Sequence, residues 1–371
     1  MGRIIIAPDS FKGTMSAREI CLILEKAVIE LVPDAEIIKI PMSDGGEGMV
    51  EAYLGILGGE KSFFSVTGPK GLPVNAAYGI LPDGSAITEM AECAGLTLMG
   101  GELDPLHATT YGVGELLHHL KSAGIEKLLM GIGGSATNDC GVGMAAALGF
   151  VFEDESGETI APYACNIGRI RHIRKPAELS LPEITVACDV DNPLCGERGA
   201  SAIFGPQKGL KKEQIVPLDE DIRAFAGLIK DELSVDVLNV PGAGAAGGLG
   251  AALLAFCGAK LRPGIEMLLD AADLDGLLKS ARLVITGEGR MDYQTASGKV
   301  PVGVSRRAKK AGVPCIAICG CIGDGAKAVL NEGISAYYAC SDGTRSFEDI
   351  VKSCRDDLRE TAARVLPEHL A

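Results

Sequence analysis

The stretch Arg3–Leu31, RIIIAPDSFKGTMSAREICLILEKAVIEL, joins a strand to a helix through a polar loop. Arg3–Pro8 is a β-branched run of the kind that favours extended backbone, and it ends in Asp9-Ser10-Phe11-Lys12-Gly13-Thr14. Ser16 and Glu19 then stand at capping-box spacing, and Ile20, Leu24 and Ala27 recur at helical intervals, so the pattern predicts a helix over Ser16–Leu31. A second strand, Glu36–Pro41, runs into Ser43-Asp44-Gly45-Gly46-Glu47-Gly48 and another short helix. Strands alternating with helices imply a parallel sheet, because each helix carries the chain back to start the next strand in the same direction.

Working outward, the tail from Ala281 repeats this grammar. Strand Arg282–Thr286 leads into Gly287-Glu288-Gly289-Arg290-Met291-Asp292, and a helix follows near Val302–Ala311. Strand Val313–Cys319, a helix near Ala326–Asn331, a strand near Ala336–Ala339 and an amphipathic helix from Phe347 complete it. The middle differs. Lys61–Met90 reads as consecutive strands with turns at Gly68-Pro69, Gly71 and Pro82-Asp83-Gly84, which predicts antiparallel or mixed sheet. At 371 residues the chain exceeds one ordinary core of about 150 residues. The expectation is therefore α/β with two domains. A flavodoxin-like, doubly wound parallel sheet is built from residues 1–60 and 274–371, and an α/β domain with mixed sheet is inserted over 61–273.

Composition narrows the function classes. Hydrophobic residues at 47% and charged residues at 23% suit a folded globular chain, and 49 glycines suit tight loops between strands and helices. A net charge of −14 argues against nucleic acid or an anionic membrane as partner, though not against a small anion held in a local positive site. The sequence opens on a strand and has no apolar run of the roughly 20 residues a membrane helix needs, which makes the cytoplasm the expected compartment. Twelve cysteines are scattered through apolar segments, as at Cys21, Cys257 and Cys315, and read as reduced core thiols. Cys319 and Cys321 are one residue apart with no second pair at zinc spacing. His118 and His119 fall in a predicted helix, and His172 in a basic, loop-like stretch.

The chemistry concentrates in polar loops after strands, where open α/β sheets bind their ligands. Leu128–Gly149, LLMGIGGSATNDCGVGMAAALG, sets Gly131, Gly133, Gly134 and Gly141 around Ser135, Thr137, Asn138 and Asp139. Such an elbow can lay backbone amides against an anion, and the following helix would add its positive end. It is neither a Walker A loop nor a spaced dinucleotide fingerprint. Asp9 and Lys12 follow the first strand, Asp44 the second; Asp189, Asp191 and Asn192 follow Glu183–Cys188; Arg290, Asp292 and Lys299 follow Arg282–Thr286. Carboxylates, cations and open amides together suit phosphoryl transfer from a nucleotide, where moving negative charge must be neutralised and the attacking hydroxyl oriented. Plainer readings stand beside these. Cys188–Pro193 has the make-up of a turn, Lys12 that of a solvated loop lysine, and Asp44 that of a helix N-cap. Pro241–Ala252, PGAGAAGGLGAA, fits close helix packing better than a phosphate cradle.

These segments resemble the bacterial type I glycerate kinase family. The resemblance lies in APDSFKGTMSA (Ala7–Ala17), PMSDGGEG (Pro41–Gly48) and GIGGSATNDCGVGM (Gly131–Met144). It continues through CDVDNPLCGERGA (Cys188–Ala200), FGPQKG (Phe204–Gly209) and TGEGRMDYQTASGKVP (Thr286–Pro301), and so spans essentially the full length. Cys140 stands where many relatives are expected to have glycine. The resemblance implies ATP-dependent phosphorylation of D-glycerate with Mg²⁺, usually to the 2-phospho product. It also implies a flavodoxin-like and a restriction-endonuclease-like domain with the active site in the cleft between them. In that frame Asp189 orients or deprotonates the glycerate hydroxyl, with Lys12 and Asp44 beside it in the catalytic set. Asp191 and Asn192 hold Mg²⁺. Lys12 and Arg290 neutralise the phosphoryl or clamp the carboxylate. Asp9, Ser10, Gly133, Gly134, Ser135, Thr137, Asn138, Asp292 and Lys299 bind substrate or phosphate. Both glycerate hydroxyls lie within a bond or two of the same carboxylate, so 3-phosphorylation stays open. Two other classes compete: a non-catalytic sensor of a small hydroxy acid, and a Mg²⁺-dependent phosphatase or other hydrolase.

Overall fold

The computed structural model describes residues 2–43 and 48–370. By its internal contacts the chain divides into two compact units. One comprises residues 2–43, Glu51–Leu57 and 265–370; the other comprises residues 48–50 and Gly58–Gly264.

The unit made from both ends of the chain has a five-stranded sheet, ordered Ile334–Ala339, Cys315–Cys319, Ala281–Thr286, Arg3–Ile6, Ile37–Lys39. Every neighbouring pair is parallel. Numbered along the chain, this is the order 2-1-3-4-5 of a flavodoxin-like sheet, as the strand-helix grammar of the two ends predicts. Both faces are covered, which is why the central strands RIII, RLVIT and CIAIC read as nearly unbroken apolar runs. Ile4, Ile6, Leu283, Ile285, Ile316 and Ile318 pack one way, against Ile20, Leu24, Val28, Leu358 and Leu366 of the helices Ala17–Leu31 and Phe347–Leu370. Ala317 and Cys319 point the other way, packing with Val302, Val329 and Ile334.

The Ser16 capping box forms as its spacing requires: Glu19 N–H donates to Ser16 Oγ at 3.2 Å, and Ser16 N–H donates to Glu19 Oε2 at 2.9 Å. Arg307, on the helix Val300–Lys310, reaches Glu266 and Asp270 at 2.5 and 2.7 Å and ties the helix Gly264–Ala271 to its own. Near Ala326 the turn is a 3₁₀ helix, Ala326–Glu332, not an α-helix. Left-handed glycines at both ends, Gly325 and Gly333, confine it.

The second unit carries a six-stranded mixed sheet, ordered Lys260–Arg262, Glu183–Ala187, Lys127–Gly131, Ala86–Glu89, Pro73–Ile80, Glu60–Thr67. The last three strands form the antiparallel meander expected over Lys61–Met90, and the first four are parallel. Its core includes Leu116, Leu117, Met130 and Val186, with Phe150, Phe152, Phe225 and Phe256 meeting edge-on or stacked. His119 stacks on Phe64 within the helix Tyr111–Ser122. His172 lies in a short strand, His172–Arg174, paired with Val151–Glu153, and not in a loop. Three residues with one inward side chain are too few for alternation to register in the sequence. Among the described residues no helix is long and apolar enough to cross a membrane.

Candidate functional site

Strand order reverses beside the strand Arg3–Ile6, between it and Ala281–Thr286, so the loops leaving their carboxyl ends diverge and open a crevice. Glycines let those loops touch backbone to backbone. Asp9 N–H donates to Gly287 O at 2.9 Å, and a Cβ on Gly287 would fall 1.9 Å from Ile318 O. A cavity of about 390 Å³ opens here, and Asp9, Ser10, Lys12, Arg290 and Lys299 all line it.

Within this group Asp9 is buried and accepts from the Ser10 amide at 2.7 Å. Glu288, also buried, accepts from Thr295 Oγ1 and lies 3.9 Å from Lys299 Nζ. Asp292 faces Arg290 at 3.6 Å and accepts from the Gln294 amide at 2.9 Å, so it shapes the turn that presents Arg290. Asp44 lies outside the described residues.

In the second unit the strands Lys127–Gly131 and Glu183–Ala187 are parallel neighbours, and their loops leave the same sheet edge. The first loop is the glycine elbow, but it is folded inward. Ser135, Thr137, Asn138 and Asp139 are buried, while Gly134 is exposed. The helix after it, Val142–Ala147, has six residues, and its entry is occupied by the chain's own carboxylate. Asp139 accepts from the Gly141 and Gly143 amides at 3.0 and 3.4 Å, and from Thr110 N–H and Oγ1 at 2.9 and 2.8 Å. The positive helix end expected to greet a ligand is therefore spent on an internal anion. Burial pushes the Asp139 carboxyl up from its ordinary value, and the donors from Thr110, Gly141 and Gly143 pull it back.

Lys208 completes this cluster, and sequence reasoning assigned it no role. It sits in the 3₁₀ turn Pro206–Lys208, is 2% exposed, and donates to Ser135 Oγ at 2.6 Å and Thr137 O at 2.7 Å. Burial lowers its amine to about 7, with Asp139 opposing that shift. Asn138 Nδ2 donates to Ser201 Oγ at 2.9 Å. Thr137 Oγ1 and Asn138 Oδ1 are buried without a partner among the described residues, an uncommon state for polar atoms in a core. Pro241–Ala252 packs against the elbow. A Cβ on Gly247 would fall 2.0 Å from Thr137 O, and one on Gly244 would fall 2.2 Å from Pro193 O.

After Glu183–Ala187, Asp189 Oδ1 accepts from the Gly264 amide at 2.9 Å. Asp191 is exposed and paired with Arg198 at 2.8 Å, and Asn192 Nδ2 donates to Arg198 O at 2.7 Å. Among the described residues no three His, Cys, Asp or Glu side chains converge as a metal cluster would require. Glu89, another residue without a sequence signal, accepts from the Gly48 and Val50 amides at 3.1 and 2.9 Å and so fixes the start of the helix Met49–Leu57.

Comparison with known proteins adds a family. The profile of the glycerate kinase family matches residues 4–369. A glycerate kinase of Halalkalibacterium halodurans is 45% identical over 98% of this chain and 97% of its own. The glycerate 2-kinase of Escherichia coli K12 is 44% identical over 96% and 95%. A crystal structure from Salmonella typhimurium LT2, of a protein carrying the name glycerate kinase 2, superposes with a TM-score of 0.83 at 44% identity, over 99% of this chain and 98% of that one.

Proposed function

The chain belongs to the glycerate kinase family, and from that premise we propose that it transfers the terminal phosphoryl group of ATP to a hydroxyl of D-glycerate, the 2-hydroxyl being favoured. The observation that carries this reading is the gathering of Lys12, Arg290 and Lys299 around one cavity at the reversal of strand order. A hydrophobic core has no use for three cations at a strand edge, whereas a migrating phosphoryl group needs them.

Lys12 and Arg290 neutralise that group or clamp the glycerate carboxylate. Asp9, Ser10, Asp292 and Lys299 shape and charge the same loops. Asp189, held by the Gly264 amide, orients or deprotonates the attacking hydroxyl. Asp44 belongs to the same catalytic set. Gly133, Gly134, Ser135, Thr137 and Asn138 form the anion-binding elbow, and the partnerless Thr137 Oγ1 and Asn138 Oδ1 support a polar role there. Mg²⁺ would be held by Asp191 and Asn192 together with the nucleotide's phosphates, a sparse donor set that suits a metal arriving with ATP better than a closed cage. When bound, it supplies positive charge to the phosphate oxygens.

An assay of ADP release with and without D-glycerate tests the reading. Release that requires glycerate supports a kinase. Equal release without it identifies a hydrolase, and none at all leaves the sensor. Phosphorus NMR of the product then distinguishes 2- from 3-phosphoglycerate.

A further inference from the structure

The cavity at the strand-order reversal is lined by carboxylates, Asp9, Glu288 and Asp357, and by two further groups that matter for a ligand. Lys12, Arg290 and Lys299 supply positive charge; Phe11, Phe347 and Ile350 supply an apolar wall. D-glycerate, polar on each of its carbons, would use only the cations. A nucleoside triphosphate uses both, since it joins a flat aromatic base to a polyanion.

Phe347 strengthens this choice. It opens the helix Phe347–Leu370, lines the cavity and is 61% exposed, so its ring is accessible from the cavity. The ring tip comes within 3.0 Å of where a Cβ on Gly13 would stand, and Gly13 has φ +78°. The left-handed backbone at Gly13 favours glycine, and without a side chain there the ring tip can lie against the loop that carries Lys12. An exposed aromatic face beside lysine and arginine is a stacking platform for a base.

We propose that this cavity takes the nucleoside end of ATP, the base lying against Phe347 and Ile350 and the phosphates running toward Lys12, Arg290 and Lys299. The proposal rests on the ATP-dependent reading above and adds which wall holds which part of the nucleotide.

Equilibrium binding of a non-hydrolysable ATP analogue and of D-glycerate to the full chain and to Phe347→Ala tests it. The variant should bind the analogue at least tenfold more weakly and D-glycerate as before. Independently, Cys321 lines the same cavity and is half-buried, so the analogue should slow its alkylation by iodoacetamide several-fold in the unmodified protein, and glycerate should not. Weakened glycerate binding, protection by glycerate alone, or unchanged analogue binding without protection would each overturn the assignment. The two readings fail separately. A wild-type chain that binds the analogue with both signatures but makes no glycerate-dependent ADP keeps the nucleoside cavity and loses the kinase assignment. A chain that makes ADP while Phe347→Ala keeps its KM for ATP does the reverse.

Discussion

The two sheets spend their carboxyl edges in opposite ways. In the unit made from the chain ends, the loops after Arg3–Ile6 and Ala281–Thr286 hold cations around an open cavity. In the inserted unit, the loop after Lys127–Gly131 turns its polar groups inward, where Thr110 donates to Asp139 and Lys208 donates to Ser135. On the first edge the cations line a cavity, with Arg290 3.6 Å from Asp292 and Lys299 3.9 Å from Glu288. On the second, Asp139 and Lys208 are buried and fix the shape of a glycine-rich backbone. Polar loops of similar composition thus differ in how far their charged groups are buried.

The sharpest way to break this contrast is Asp139→Ala. The change strands the Thr110, Gly141 and Gly143 donors and leaves Lys208 without its counter-charge. It should cost on the order of 3–5 kcal/mol of stability by denaturant unfolding. A variant as stable as wild type would show that the inward cluster is not what holds the elbow. Lys12→Met probes the open edge. Glycerate-dependent turnover should fall by on the order of a hundredfold with little change in melting temperature. A loss of folding in step with activity would erase the distinction between the two edges.

A smaller effect comes from pH. The folded chain holds the Lys208 amine at about 7 against the usual lysine value of 10.5, so between those values the unfolded chain binds a proton that the folded chain lacks. Stability contributed by this site is therefore lowest below about pH 7 and rises as pH climbs toward 10. Measured against Lys208→Met, in which other titrating groups largely cancel, wild type should gain roughly 2 kcal/mol from pH 7 to 9. A flat difference would mean that water reaches the amine. The smallest effect is expected at Ala246, a non-glycine residue at φ +53° beside the elbow's packing partner Gly247. Ala246→Gly should raise stability by about 1 kcal/mol through relief of left-handed strain, read as a small shift in the unfolding midpoint.

The open edge was the more legible of the two. β-branched runs, the Ser16–Glu19 spacing and the polar residues after each strand are local signals, and a parallel sheet follows from their alternation. The antiparallel meander was readable from its turn residues for the same reason. Lys208 was not readable. It stands in a quoted motif, but a lysine's burial is set by residues far away in sequence, Ser135 and Thr137, and lysine is ordinarily exposed. The elbow's glycines and hydroxyls were visible; their inward turn was not, because Asp139's donors include Thr110, 29 positions earlier. Cys140 stands where glycine is expected, and its φ of +48° supplies the reason a glycine would be at ease there.

The pairing of Arg3–Ile6 with Ala281–Thr286 carries a consequence for biosynthesis. The first strand leaves the ribosome with one of its two neighbours, Ile37–Lys39, close behind and the other still untranslated. At elongation rates of about 5–20 residues per second, it waits on the order of fifteen seconds to a minute for that neighbour. During this interval the inserted unit can emerge and fold, while Ile4, Ile6, Ile20 and Leu24 lack the helix Phe347–Leu370 that later covers them. Nascent-chain capture by holdase chaperones should therefore concentrate on the opening helix and strand, and should end once the last helix is made.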